Sequence, residues 1–204
     1  MRQASAMARR ALPSALCLAV LTAGAAGERH SAEAAAAYSS SPFGSRDLQA
    51  GDRGADVKTL NWVLRAQGLS TLHHDRFDGL THGAVKRLQS SAGLPGDGVV
   101  RRETRKAMAS RMLRQRATWY GPGLYGDRTA CGVKLRKRTI GVAHRKLACG
   151  TRVAFAYKGR WHRAKVIDRG PFRRKVRWDL TKRLAKRLGA TEAGWPVLRV
   201  GVAP

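Results

Sequence analysis

The residue pattern of the chain changes near Ala117, and this change restricts the folds that it can adopt. From Leu48 onward, apolar residues recur at helical spacing in three stretches that end at glycines or turn residues. After Ala117 the apolar runs become short and β-like, and glycines or Gly-Pro pairs separate them. We therefore predict an α+β chain in which a small helical unit precedes a small β-barrel.

The first 37 residues have the composition of an export signal. Basic residues near the start precede a run of small and apolar residues over positions 11–27, and an alanine-rich stretch ending near Ala37 offers A-x-A cleavage sites. A membrane anchor is the alternative, but the apolar run is short and rich in alanine and glycine. We predict a signal peptide over residues 1–37, a linker over 38–47, and secretion to the cell wall.

Two cysteines remain beyond the predicted signal peptide, Cys131 and Cys149. Exported proteins commonly hold such cysteines as disulfides, and closing a loop of this length stabilises a small domain by about 3 kcal/mol. A metal site is the alternative, but neither cysteine lies in a CxxC motif or a Cys/His cluster of ligand spacing. We predict a Cys131–Cys149 disulfide, and we expect no metal and no other cofactor.

Basic residues greatly outnumber acidic ones. The formal net charge is +27, and because the first 37 residues contain four basic and two acidic residues, the remainder carries +25. A charge of this size indicates a polyanionic partner, of which nucleic acid is the usual example. Because export is predicted, we expect anionic wall polymers or an anionic membrane surface instead, and no nucleic acid.

One acidic residue stands out in the basic second half of the chain. From Ala117 onward, 22 lysines and arginines accompany four acids. Asp168 follows the β-type run 165–167 and precedes the Gly-Pro turn at 170–171, which predicts a strand end on the rim of a barrel. Its carboxylate either carries chemistry or braces the turn by accepting backbone N–H bonds.

Apolar periodicity and capping residues predict four helices. They extend from Ala55 or Asp56 to Gly68, and over Thr81–Ala92, Glu103–Leu113 and Thr181–Leu188. A threonine caps the second and the fourth, and a glycine follows each of the two. The outward face of the fourth helix is cationic, which indicates either a solvated face or a polyanion-binding one.

The helical half resembles a family of wall-binding domains. The stretches LQAGDRGADVKTLNWVLRAQGL, RFDGLTHGAVKRLQSSAGLPGDGVV and RRETRKAM follow, in order, the pattern of the peptidoglycan-binding domain type 1. The resemblance implies a three-helix domain over residues 48–113 that binds peptidoglycan and has no catalytic role. We expect Trp62 and Asp78 to contact the substrate, whereas for Gly54, Gly79 and Leu88 taken singly a purely structural role is favoured. Adjacent His73 and His74 are predicted to lie in a solvated loop.

The second half resembles another family. The segments W-Y-G, T-A-x-G, A-H-x-x-L-x-x-G-T, D-R-G-P-F and D-L occur in the order found in rare lipoprotein A, a septal-ring lytic transglycosylase family related in fold to expansins. The resemblance implies a six-stranded double-psi β-barrel over residues 117–204. It also implies cleavage between N-acetylmuramic acid and N-acetylglucosamine without water, leaving a 1,6-anhydro end. Peptidoglycan glycan strands are the implied partner, with cell-division proteins as further candidates.

The same resemblance assigns candidate roles to individual residues. Asp168 matches the aspartate of D-R-G-P-F, His144 the histidine of A-H, and Asp179 the aspartate of D-L, so these three are the candidate catalytic residues. A buried structural histidine and a helix-entry aspartate are the alternatives for His144 and Asp179. The expected substrate contacts are Trp119, Tyr120 and Arg169. Core packing is the alternative role of the two aromatic residues.

One position of the second family is not matched. Lytic members carry T-A-x-G-E, but Val133 follows Gly132 in this chain. A general acid also needs a pKa above the ordinary value of about 3.9, which a basic surrounding opposes unless Asp168 and Asp179 come close together. Three functions stay open: a lytic transglycosylase, a non-catalytic expansin-like protein that binds or loosens the wall, and a binder of polyanions such as nucleic acid.

Overall fold

The computed structural model describes residues 38–204, and the predicted signal peptide lies outside them. Three helices come first: α1 Ala55–Ala66, α2 Gly79–Ser91 and α3 Arg102–Ser110. The strands are β1 Leu113–Tyr120, β2 Val142–Ala143, β3 Arg152–Tyr157, β4 Arg160–Asp168, β5 Trp178–Thr181 and β6 Val197–Ala203, and helix α4, Lys182–Leu188, lies between β5 and β6. No helix of this described part is long and apolar enough to cross a membrane.

The six strands form a closed barrel in the order β1-β5-β2-β4-β3-β6. The pairs β1–β5 and β2–β4 are parallel, and the other neighbouring strands are antiparallel. Apolar side chains of alternating strand positions fill the interior, among them Val142, Phe155, Val166, Trp178 and Leu198. The predicted α+β class and the six-stranded barrel are thereby confirmed.

Two helices show how local sequence sets their ends. Helix α4 is capped as predicted, because the Thr181 hydroxyl accepts from the Leu184 amide at 3.4 Å and Gly189 ends the helix with a φ of 69°. Helix α2 begins earlier than predicted, because Asp78 and not Thr81 is its cap. The Asp78 carboxylate accepts from the Thr81 amide at 2.8 Å, and a carboxylate at this position also favours the positive end of the helix dipole.

The boundary between the helical and β parts also differs from the prediction. Helix α3 ends at Ser110 and not at Leu113, because residues 113–116 pair antiparallel with β6. The barrel therefore begins with Leu113, earlier than the predicted start at Ala117. This short segment has no strong helical or β signal of its own, and its backbone hydrogen bonds are satisfied by the distant strand β6.

The helical part and the barrel share an apolar core. Trp161 on β4 lies in the same buried cluster as Leu60 and Val63 of α1. Phe43, inside the predicted linker, is buried and its ring lies 5.3 Å from the ring of Trp161 in an edge-on arrangement. Burying these large side chains joins the two parts of the chain, so residues around Phe43 act as part of the core.

The two parts approach each other closely at Gly201 on β6. A Cβ added there would lie 2.8 Å from the Ala66 Cβ at the end of α1 and 3.6 Å from the Met112 Cε. The absence of a side chain at Gly201 is what allows α1 to rest on the barrel.

Replacing this glycine should loosen the contact. We expect Gly201→Ala to lower the free energy of unfolding by about 1–3 kcal/mol, because the added methyl group meets another Cβ that cannot move aside. The matched control is Gly79→Ala, where an added Cβ meets nothing within 4 Å, and it should leave the stability unchanged or raise it. Urea unfolding of both variants gives the comparison, and equal midpoints would contradict the close approach.

Candidate functional site

Strand β2 pairs with an aspartate on each of its two neighbouring strands. Its residue Ala143 pairs with Asp168 on β4 and with Asp179 on β5, and Asp179 pairs in turn with Thr118 on β1. The paired residues Asp168, Ala143, Asp179 and Thr118 are called the row below. Paired residues of neighbouring strands face the same side of a sheet, so these four side chains share one face. The backbones of the two aspartates are two strand spacings apart, or about 10 Å. Ala143, which lies between them, is buried and carries only a methyl group.

A bulge brings Asp168 onto this row. The register of the β2–β4 pair shifts by one residue, so that Val142 pairs with Val166 whereas Ala143 pairs with Asp168. The extra residue, Ile167, packs on Gly141, where an added Cβ would lie 2.2 Å from the Ile167 Cδ1. Bulges commonly re-aim side chains beside functional sites, and this one turns Asp168 toward the face that holds Asp179.

The Asp168 carboxylate is held through one oxygen. Its Oδ1 accepts from the Ala130 amide at 2.9 Å and from the Arg169 amide at 2.8 Å. Within residues 38–204 the Tyr120 side chain is a further group that interacts with the Asp168 carboxylate. Both interpretations of Asp168 from the sequence therefore fit the geometry: one oxygen braces the turn, and the carboxylate also faces the Tyr120 hydroxyl.

Asp179 has the surroundings of a proton donor. Burial raises the pKa of its carboxyl group, and the nearby charge of Asp168 raises it further. A hydrogen bond from the Thr118 hydroxyl at 2.7 Å and the charge of Arg173 act in the opposite direction, but they do not cancel the upward shift of the pKa. The surroundings of Asp179 thus favour the protonated form of its carboxyl group.

Tyr120 joins the two aspartates. Its pKa is raised, first by burial and then by the charges of Asp168 and Asp179. The Tyr120 hydroxyl is buried and makes no hydrogen bond of good geometry within residues 38–204, but the Asp168 carboxylate lies near it and contributes to its raised pKa. Because buried hydroxyl groups normally have a partner, Asp168 is the acceptor to which this hydroxyl is best placed to donate.

An open cleft of about 480 Å³ adjoins the row. It is lined by Thr118, Trp119, Asp179, Gly194 and residues 169–173. Two of the predicted substrate contacts, Trp119 and Arg169, therefore border it. The Trp119 indole N–H donates to the Thr191 carbonyl at 3.1 Å, and the Lys182 Nζ lies 5.3 Å from the centre of the Trp119 ring. Arg169 points its guanidinium at the sulfurs of the disulfide.

Exposed aromatic side chains beside the cleft were missed by the sequence reasoning. Phe172, which lines the cleft, is 82% exposed, and Trp195, next to Gly194, is 48% exposed. Single exposed apolar side chains are common on protein surfaces, but apolar side chains grouped beside a cleft indicate a binding surface. The available signal was their position, because each adjoins a turn containing glycine and proline and neither fits an apolar periodicity.

The predicted disulfide is confirmed. Cys131 and Cys149 are bonded, with their Cα atoms 5.7 Å apart. The bond holds the segment that contains Ala130, and Ala130 is one of the two amide donors to Asp168. It therefore supports the site as well as the fold.

His144 lies away from the aspartate cleft. Its Nδ1 accepts from the amides of Lys146 and Leu147, at 3.2 and 3.0 Å, and its ring packs 4.5 Å from that of Trp178. Burial and neighbouring arginines lower its pKa, which keeps the ring neutral. The ring lines a separate cleft that also contains Leu147 and Trp178. The structure thus joins His144 to the site only through its backbone amide, which donates to the Asp168 carbonyl at 3.2 Å.

The candidate contacts in the helical part lie elsewhere. Asp78 caps α2 and its Oδ2 lies 3.1 Å from the His74 Nε2, whereas Trp62 is only 5% exposed. His73 and His74 bond to different groups. Across the part of the chain that the structure describes, no three His, Cys, Asp or Glu side chains converge as a metal site requires.

Val133 stands at the position where lytic members of the second family carry a glutamate. Val133 is 37% exposed, and its amide donates to the Thr129 hydroxyl at 3.1 Å. The loop is closed by a hydrogen bond from the Thr129 amide to the Val133 carbonyl at 2.9 Å. Val133 thus takes part in an ordered turn but supplies no carboxylate.

Comparison with known proteins agrees with both motif sets. Residues 53–108 match the family model described as "Putative peptidoglycan binding domain". Over 94 residues, 45% of the chain, the sequence is 37% identical to the "Probable endolytic peptidoglycan transglycosylase RlpA" of Aquifex aeolicus, covering 38% of that protein. Over 88 residues, 42% of the chain, it is 32% identical to the "Endolytic peptidoglycan transglycosylase RlpA" of Campylobacter jejuni, covering 32% of it.

These alignments are partial. The chain spans well under half the length of the curated relatives that it matches. Among solved structures, an expansin of Clavibacter michiganensis is 22% identical, with 46% of this chain and 50% of that chain covered and a TM-score of 0.39. The two resemblances predicted from the motifs, to a peptidoglycan-binding domain and to RlpA, are thus confirmed by the family model and by the curated relatives.

Proposed function

We propose that the protein is secreted, binds peptidoglycan in the cell wall, and cleaves its glycan strands as an endolytic lytic transglycosylase. The observation that carries this proposal is the row formed by β4, β2 and β5, on which Asp168 and Asp179 face the same space and the pKa of Asp179 is raised. The matched domain over residues 53–108 supports wall binding, and the similarity to RlpA supports the reaction.

We also assign the barrel to the double-psi class implied by the resemblance. Its mixed order, with parallel pairs β1–β5 and β2–β4 between non-sequential strands, is compatible with that class. In this assignment residues 48–112 form the wall-binding domain and the barrel begins with β1. The shared core keeps the two at a fixed distance, so binding by one presents the glycan to the other.

The reaction requires one proton to be given and one to be taken. The bond between the anomeric carbon C1 and the glycosidic oxygen breaks while a carboxyl group protonates that oxygen. The substrate's own C6 hydroxyl oxygen then bonds to C1 and gives its proton to a carboxylate, which forms the 1,6-anhydro ring without water. A later proton exchange with solvent restores both groups.

The site supplies a group for each half of this reaction. Burial and the charge of Asp168 raise the pKa of Asp179, which suits it to donate a proton to the leaving oxygen. Asp168, held through Oδ1, stabilises the positive charge that develops at C1 and accepts the C6 hydroxyl proton. The Tyr120 hydroxyl lies beside the Asp168 carboxylate and helps to orient it toward the sugar.

A second function is favoured by one observation. Val133 occupies the position of the family glutamate, so the site has one carboxylate fewer than the lytic members that carry T-A-x-G-E. In this alternative the protein binds and loosens peptidoglycan as an expansin-like module without breaking bonds. Binding to sacculi would then survive removal of either aspartate, and no anhydro products would form.

Removing either aspartate should abolish cleavage and spare binding. We expect Asp168→Asn and Asp179→Asn each to lower the yield of anhydro products from purified sacculi by about 10²-fold or more, as loss of acid–base catalysis does. Mass spectrometry of the digests measures the products, and a sacculus pulldown measures binding.

Asp127→Asn is the matched control, because Asp127 is an acid outside the row. Its yield should equal that of the wild type. Unchanged yields from both row variants would contradict the assignment of the site. A folded wild type that binds sacculi without releasing anhydro products would favour the expansin-like alternative, and Val133→Glu would then be the variant in which to seek cleavage.

The raised pKa of Asp179 should also appear in stability. A carboxyl group whose pKa is higher in the folded than in the unfolded state stabilises the fold only while it is protonated, and this contribution is lost as pH rises through the folded pKa. We expect Asp179→Asn, which keeps an oxygen for the Thr118 hydroxyl, to be more stable than the wild type near pH 7. The difference should shrink toward pH 4.

Urea unfolding of both proteins at pH 4 and pH 7 measures this effect. Thr118→Val is the companion variant, because it removes the hydrogen bond that opposes the upward shift of the Asp179 pKa. A destabilisation by Asp179→Asn of equal size at both pH values would show that the carboxylate stabilises the fold, contrary to this prediction.

A further inference from the structure

Another cleft, of about 370 Å³, lies where helix α1 meets strands β3 and β4. Helix α1 contributes Lys58 and Trp62, which are one helical turn apart, and the strands contribute Arg152, Arg163 and Lys165. Asp168 and Asp179 do not line this cleft. Four cationic side chains thus border one recess on a different part of the surface.

The positions of these cationic side chains bring like charges close together. Arg152 and Lys165 are direct partners in the β3–β4 ladder, and Arg163 lies two residues before Lys165 on the same side of the strand. Like charges in directly opposed positions destabilise a sheet. None of the ion pairs found among residues 38–204 involves Lys58, Arg152, Arg163 or Lys165. The described protein therefore provides no counter-ion in contact with the group.

The recess also contains a buried donor without a partner. Trp62 is 5% exposed, and its indole N–H has no hydrogen-bond acceptor in the part of the chain that the structure describes. Buried indole N–H groups usually find an acceptor. The guanidinium carbons of Arg152 and Arg163 each lie 5.9 Å from the centre of the Trp62 ring. Two guanidinium groups and an unpaired indole N–H therefore lie close to one another.

Hydrogen bonds hold the Arg163 side chain in position. Its Nη1 donates to the Ala55 carbonyl and to the Thr59 hydroxyl, both at 3.0 Å. Its other nitrogens have no acceptor of their own within the described residues, and burial lowers its pKa. An arginine held on one side and free on the other is an ordered donor for an anion.

We propose that this cleft binds the phosphodiester groups of an anionic wall polymer. Two guanidinium and two ammonium groups around one recess suit an anion with several oxygens, and a repeating phosphodiester chain supplies one charge after another along the groove. A nucleic acid fits less well, because the Trp62 ring is buried and flanked by guanidinium groups, so it offers no face on which a base can stack. The location of such a polymer outside the cytoplasm rests on the proposed function.

Binding of a defined probe tests the proposal. We would titrate the secreted protein, without its signal peptide, with a poly(glycerol phosphate) oligomer and follow Trp fluorescence or calorimetric heat. Arg152→Gln/Lys165→Gln should weaken binding about tenfold or more. Trp62→Phe, which keeps the ring but removes the N–H donor, should weaken it several-fold while the urea midpoint confirms that the variant is folded.

The matched control is Lys86→Gln/Arg87→Gln on the exposed surface of α2, which removes the same two charges elsewhere. Its affinity for the oligomer should stay near that of the wild type. An equal loss in both double variants would show that only the net charge matters and would overturn the proposal. An oligonucleotide of equal charge that binds as tightly, with the same loss in Arg152→Gln/Lys165→Gln, would also overturn it.

Inorganic phosphate distinguishes a single anion from a chain. It should compete only weakly, whereas full competition at millimolar phosphate would show a site for the free ion and contradict a polymer groove. Sacculus digestion by Arg152→Gln/Lys165→Gln separates this proposal from the proposed function. Anhydro products should form at the wild-type rate from sacculi freed of anionic polymers, so a failure of one activity leaves the other measurable.

Discussion

The arrangement of the barrel depends on the pairing of the two-residue strand β2. Val142 and Ala143 join β4 to β5, and without them the barrel is not closed. The same pairing sets Asp168 and Asp179 on either side of the Ala143 methyl group. The pairing that closes the barrel therefore also forms the site, and the bulge at Ile167 places the Asp168 side chain on the same face as that of Asp179.

Electrostatics decides what this row can do. The second half of the chain is strongly basic, which favours charged carboxylates and opposes a protonated acid at neutral pH. Burial and the charge of Asp168 outweigh that tendency at Asp179, whose pKa is raised despite Arg173. The positive charge is instead concentrated elsewhere, in part around Trp62, in a cleft that no acidic side chain of the described residues lines. The two clefts thus separate proton transfer from the binding of anions.

Much of this arrangement could be predicted from local sequence. Gly189 and Thr181 act within one or two helical turns, so the ends of α4 followed from capping chemistry. The disulfide followed from the number of cysteines, and Asp168 from a strand that ends in a turn. These features depend on residues close together in the chain.

The remaining features depend on distant residues. The cap at Asp78 was misplaced because two plausible capping residues lie near each other, and the helix start is set by which side chain reaches the amide. Leu113 became a strand residue only through pairing with β6, and Trp62 acquired its cationic neighbours from β3 and β4. His144 matched a motif, yet packing against Trp178 turns its ring away from the aspartate cleft.

The protonation of Asp179 beside Asp168 is the central claim, and its direct measurement is an NMR titration of the side-chain carboxyl carbons. In the wild type the Asp179 resonance should titrate above the ordinary value of about 3.9. In Asp168→Asn its pKa should move downward, because one of the charges that raise it is removed. An Asp179 pKa at or below the ordinary value in the wild type, unaffected by Asp168→Asn, would contradict the account.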